Sequence, residues 1–130
     1  MIIDRDKICW LLVCDGASAH FHVLQNRPLH IEPVPLPRLR NDASERHGSV
    51  PAEKKNRFAA EVAAAVATAA SKKLFQTLVV VAPPHMLGEL RQDLSHEVQK
   101  MVILEIASDW ANLSSADLVG HLKPHLMPAA

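Results

Sequence analysis

From residue 8 to residue 14 the chain reads Ile-Cys-Trp-Leu-Leu-Val-Cys, an unbroken apolar run that predicts a strand covered on both faces, near the centre of a sheet. Asp15-Gly16 supplies a turn. Across Ala19 to Gln25, Phe21 and Val23 alternate with His20, His22 and Leu24, which predicts a second strand antiparallel to the first. Leu29, Ile31 and Val34 predict a third strand, and Pro33 and Pro35, which lack ladder donors, assign it to an edge. Residues 36 to 56 contain Pro37, Gly48 and Pro51, keep neither a period of 2 nor one of 3.6, and read as an exposed loop. Phe58, Val62, Ala65, Val66 and Ala69 then recur at helical spacing, predicting a helix over Arg57 to Leu74 whose end is complemented by Lys72 and Lys73. Thr77 to Ala82 is a short β-branched run typical of a buried parallel strand. Pro84 opens a helix with Met86, Leu87 and Leu90 as its inner stripe, Ser95 caps a further short turn, and Met101 to Ser108 predicts the last strand. Ser114 and Asp117 form a capping box between Leu113 and Leu118, announcing a final helix. Because a proline disfavours helical backbone at the residue before it, Pro124 is expected to end that helix near Leu122.

A meander of three strands followed by helix, strand, helix, strand, helix implies an α/β fold. The expected sheet is mixed and five-stranded, ribonuclease H-like in outline, with parallel later strands and helices on its faces. A length of 130 residues suits a single domain spanning 1–130. The apolar share of 48% against 22% charged residues supports a packed core and excludes disorder and coiled coil. Fourteen basic residues balance fourteen acidic ones, so any site for a polyanion has to be local. The charged start and the break at Asp15 fit neither a leader peptide nor a membrane span, which makes the cytoplasm the expected location. Cys9 and Cys14 lie five residues apart on one strand, roughly 16 Å, and point to opposite faces, so they cannot pair.

A ribonuclease H-like sheet directs attention to carboxylates able to hold divalent metals. Asp15 ends the first strand, and Glu61 and Asp109 follow in order, although an Asp before a Gly is ordinarily the first residue of a turn. His20 with His22 share a strand face, and His121 with His125 have helical i, i+4 spacing. Neither pair has a recognisable third ligand, and no metal or other cofactor is expected. There is no GxSxG elbow and no clustered glycine loop for phosphate.

Three blocks are specific in combination: Trp10-Leu-Leu-Val-Cys-Asp15-Gly16-Ala17-Ser18-Ala19, Asn56-Arg57-Phe58-Ala59-Ala60-Glu61-Val62, and Val79-Val-Val-Ala82-Pro83-Pro84-His85-Met86-Leu87-Gly88-Glu89-Leu90-Arg91. With Glu105-Ile106, Asp109 and the capped helix, they resemble the bacterial family of proteins required for attachment to host cells. That family is similar to the middle domain of eukaryotic and archaeal peptide-chain release factors, which implies the same ribonuclease H-like sheet. The sequence departs from the family pattern between Gly48 and Arg57, where members usually carry a longer segment rich in glycine, histidine and acidic residues. The Gly-Gly-Gln tripeptide with which release factors cleave peptidyl-tRNA is missing from the sequence, so the resemblance carries no hydrolase activity.

These readings lead to a non-catalytic binding protein. Between Arg38 and Arg57 stand six basic residues, Arg38, Arg40, Arg46, Lys54, Lys55 and Arg57, against Asp42, Glu45 and Glu53, a local excess of three. Together with Asp15 they are the candidate binding residues, expected as a positive rim beside the carboxyl ends of the parallel strands, with the ribosome or structured RNA as partner. The rival classes are a metal-dependent nuclease built on Asp15 and a structural or self-associating module whose edge strand is guarded by Pro33 and Pro35.

Overall fold

Strand β1, Cys9–Cys14, is buried at every position, and this follows from its place at the centre of the sheet with a helical layer on each side. The structure is a computed structural model and describes residues 6–26, 28–34, 36, 38–41 and 52–126. β2, Ser18–Gln25, runs antiparallel to β1 with Val13 opposite His20. β3, His30–Pro33, adds to the outside of β2 as an edge strand, with Pro33 opposite His22. Pro35 lies outside the described residues. β5, Thr77–Ala82, and β6, Val102–Ala107, extend the other side in parallel, giving the order β3-β2-β1-β5-β6. This is the mixed five-stranded α/β arrangement implied by the pattern. A two-residue strand β4, Leu39–Arg40, adds to it by pairing with the start of β2. It lies in the stretch expected to be loop, because two residues are too few to show any periodicity.

The alternation of side chains across the sheet divides the core. Trp10, Leu12, Cys14, Phe21, Leu78 and Val80 face α1, Ala52–Ser71, and α2, Pro84–Asp93. Cys9, Leu11, Val13, Val79, Val81 and Ile106 face α4, Ser115–Leu126. The two cysteines therefore lie on opposite faces, both as free, buried thiols. On the first face Trp10 packs against Phe21 and Phe75, with ring centroids 6.0 and 5.2 Å away.

Helix α1 starts five residues before the expected Arg57. Ala52, Glu53, Lys54 and Lys55 are good helix formers, and Glu53 in the first turn complements the positive helix pole. That turn carries no apolar stripe, so the hydrophobic pattern begins only at Phe58. Two of the six basic residues, Lys54 and Lys55, expected in the loop, are thus helical, together with Arg57, which was expected to open the helix. At the other end Lys73 has φ 58°, its N–H donates to Ala70 O at 3.0 Å, and the N–H of Leu74 donates to Ala69 O at 3.1 Å. This is a Schellman ending with lysine in the place usually taken by glycine.

In α2, Pro84 takes the first turn and Met86, Leu87 and Leu90 are buried, as expected. The short α3, His96–Gln99, is capped by Ser95, whose Oγ accepts from the N–H of Val98 at 3.2 Å. Gln99 reaches back with Nε2 to Arg91 O at 2.7 Å and Leu94 O at 2.9 Å, satisfying carbonyls at the end of α2. Ile103 is an extra residue in β6, since Leu78 pairs with Val102 and Val79 with Leu104. The bulge, and the ion pair of Arg91 Nη2 with Glu105 at 2.9 Å, blunt this edge against further strand pairing.

The last helix corrects a second expectation, for α4 does not stop near Leu122 but continues through Pro124 to Leu126. A proline inside a helix costs about 3 kcal/mol through its lost N–H and ring contact. Leu126 is fully buried, which contributes about 1.5–3 kcal/mol. His121 and His125 also pack on Trp110, with centroids 5.3 and 5.8 Å away, so the turn carrying the proline is tied down on both sides. No described helix is long and apolar enough to cross a membrane.

Two substitutions probe these local conflicts. Thr77 Oγ1 is buried and its polar neighbour is the Cys9 thiol, a weak hydrogen-bond partner, so Thr77→Val is expected to leave stability unchanged or raise it by up to about 1 kcal/mol in denaturant titration. A destabilised variant would show that the hydroxyl is satisfied in solution. Lys73→Gly relieves the left-handed backbone and should raise stability by roughly 0.5–1 kcal/mol, whereas Lys73→Ala, which keeps the strain, should not.

Candidate functional site

Asp15 follows the last residue of β1, where the chain turns into β2. Its Oδ1 accepts the N–H groups of Ala17 and Ser18, both at 2.8 Å, and its own N–H donates to Ser18 O at 2.9 Å. The aspartate therefore shapes the turn. It also acts on its neighbour: burial first, then the Asp15 charge, pushes the Cys14 thiol up to about 12, which leaves it protonated and unreactive at neutral pH. Glu61 and Asp109 are exposed. Among the described residues no three His, Cys, Asp or Glu side chains come together as a metal site, so the carboxylate set that a nuclease would need is not assembled there.

The basic residues distribute around this turn. Arg38 is exposed, and its Nη2 donates to Ser18 Oγ at 3.1 Å. Arg40, also exposed, is held through its backbone in β4, opposite Ser18. Lys54 and Lys55 are half-buried in the first turn of α1, and Arg57 is exposed on the next. Arg46 lies outside the described residues. From Arg38 to Arg57 the described residues hold these five cations and one acid, Glu53, while Asp42 and Glu45, like Arg46, lie outside the described residues.

Asn41, buried between the β1–β2 turn and α1, holds the rim together. Its N–H donates to Ala17 O at 2.8 Å, and its Nδ2 donates to Gly16 O at 3.0 Å and to Lys54 O at 3.2 Å. One amide thus fastens the turn to the start of the helix. The Lys55 stem lies across Gly16 so closely that a Cβ there would stand 2.9 Å from Lys55 Cγ and Cε. Next in sequence, Asn56 Oδ1 and His85 Nε2 are 2.8 Å apart and join the second turn of α1 to the first turn of α2. Two positive helix poles are thereby brought to the same edge of the sheet.

Sequence reasoning named the cations and Asp15 but missed Asn41, Asn56 and His85 as parts of the site. Asn56 and His85 did belong to the blocks that carried the resemblance, and the fold brings Asp15-Gly16, Asn56-Arg57 and Pro84-His85 to one edge. Asn41 offered only its type, a residue whose amide can bridge carbonyls.

With this geometry in place, comparison with known families is decisive for affiliation. The model of the family described as "Protein required for attachment to host cells" matches residues 39–122. The chain belongs to this family. No curated protein matches it. The host-attachment chain is similar in fold to a crystal structure of the archaeal translation termination factor aRF1, with 13% identity and a TM-score of 0.52 over 92% of this chain and 39% of that one. A second structure, titled as an archaeal protein, aligns with 12% identity and a TM-score of 0.47 over 92% of this chain and 40% of that one. The host-attachment chain thus spans about two fifths of each, and at 13% identity the likeness to aRF1 concerns the fold alone.

Asp15 gives a direct test of turn against metal chemistry. Asp15→Asn keeps an oxygen acceptor and should change stability by less than about 0.5 kcal/mol, while Asp15→Ala should cost about 1–2 kcal/mol. A divalent cation that raised the melting temperature of the wild type but not of Asp15→Asn would instead support a metal role.

Proposed function

We propose that this host-attachment family member is a non-catalytic cytoplasmic binding protein that contacts RNA phosphates, in the ribosome or in structured RNA, through the rim formed by Arg38, Arg40, Lys54, Lys55 and Arg57. The supporting observation is the Asn41 bridge from Gly16 O to Lys54 O, which sets a helix start and its cations against the turn that ends β1. Cations on regular, tethered elements lose less freedom on meeting an anion than cations on an open loop. Helix N–H groups and the helix pole add to the side-chain charges at that edge. The aRF1 likeness is consistent with a partner in translation, since that protein's title describes a termination factor.

A chain of zero formal charge should bind a polyanion only modestly, and the binding should fall steeply with salt. The combined variant Arg40→Ala, Lys54→Ala, Arg57→Ala leaves the Asn41 bridge and the Arg38 contact in place. Its affinity for ribosomes or structured RNA at low salt should drop at least about tenfold, and the slope of log affinity against log salt should shrink by roughly 0.7–0.9 per lost phosphate contact. Absence of wild-type binding, or equal affinity and slope in the variant, would remove RNA recognition by this rim.

A further inference from the structure

On the sheet face that carries α4, two histidines of β2 form a chain with the segment joining β6 to α4. His20 Nε2 lies 3.1 Å from Ala111 O, and His20 Nδ1 lies 2.7 Å from His22 Nε2. The rings stand at 89° with centroids 4.9 Å apart, which suits an edge-on N–H···N bond. Proton positions follow from the partners. A carbonyl only accepts, so His20 Nε2 carries hydrogen. In neutral His20 the Nδ1 lone pair is then free to accept, and His22 donates from Nε2.

We infer that the His22–His20–Ala111 chain is an acid-operated latch, which holds the β6–α4 connection against β2 while the two imidazoles carry at most one extra proton and releases it when both are charged. One added proton is compatible with the geometry, because either ring can then donate to the other's lone pair. A second proton places hydrogen on both facing nitrogens, and a 2.7 Å separation cannot hold two opposed N–H groups.

The surroundings also favour the uncharged pair. Both rings are half-buried, and burial is the main cause that lowers each histidine below its ordinary value, to about 4 for His22, where the neighbouring His20 adds to the effect. Arg38, from the segment before β4, opposes charge on His20, while the Ala111 carbonyl and Asp15 favour it. Across the ladders His22 meets Leu11 of β1 and Pro33 of β3, which carry no charge. His121 and His125 of α4 are turned onto Trp110. Since the folded pair takes protons less readily than free histidine, the latch is fully closed above about pH 6.5 and weakens as pH falls toward 4.

The Leu113 amide, bonded to Trp110 O at 3.1 Å inside the latched segment, is the reporter. Its hydrogen exchange, corrected for the intrinsic rate, is expected to rise roughly tenfold or more between pH 7 and pH 4 in the wild type, ahead of amides in β1. In His22→Gln the carboxamide can turn to donate or accept, so the acid-induced rise should disappear. Unchanged Leu113 protection in the wild type, or an equal rise in the variant, overturns the latch. If His22→Gln does not fold, imidazole nitrogen shifts of the wild type decide. Two coupled steps, the lower coinciding with Leu113 exchange, support it, and two independent histidines titrating near their ordinary value overturn it.

Discussion

Everything in this fold rests on β1 being buried on both faces and paired on both edges. Such a strand can offer no side chain to water, so Cys9 to Cys14 must be apolar throughout, and each of its neighbours inherits an inner face from it. Trp10, Leu12 and Cys14 define one core with α1 and α2, and Cys9, Leu11 and Val13 define the other with α4. The first polar residue after the run, Asp15, necessarily lies where the strand leaves the core. Its turn is therefore the place where buried framework meets solvent, and where helix starts, cations and amides can gather.

That edge is held by hydrogen bonds more than by packing. Asn41 is buried, yet its amide meets two main-chain carbonyls that would otherwise lack part of their bonding, one at Gly16 and one at Lys54. In a partly desolvated place such bonds are costly to lose, which gives the edge a defined shape although its side chains are mostly polar. The α4 face shows the same economy in another form. His20 and His22 have hydrophobic neighbours on every ladder and are accommodated because each finds a partner, with a backbone carbonyl at the end of the chain.

Strands β1, β2, β3, β5 and β6, the inner stripe of α2 and the caps at Ser95 and Ser114 were legible because periodicity and capping are local properties of the chain. The start of α1 was not, since Glu53, Lys54 and Lys55 form a polar turn in which helix and loop look alike. The end of α4 was misjudged for the opposite reason. A local rule about the residue before proline was outweighed by the burial of Leu126 and the contacts of Trp110 with His121 and His125.

Hydrophobic order along the chain was sufficient for the α/β class, the buried centre of the sheet and the edge placement of Pro33, because these depend on which residues avoid water. The cations were equally visible as residue types. Their arrangement depended on contacts between residues far apart in sequence: Asn41 with Gly16 and Lys54, Lys55 over Gly16, His85 with Asn56, and His20 with Ala111. A hydrogen bond between distant residues leaves no periodic trace along the chain, and it exists only once the sheet and its helices have brought both partners within reach.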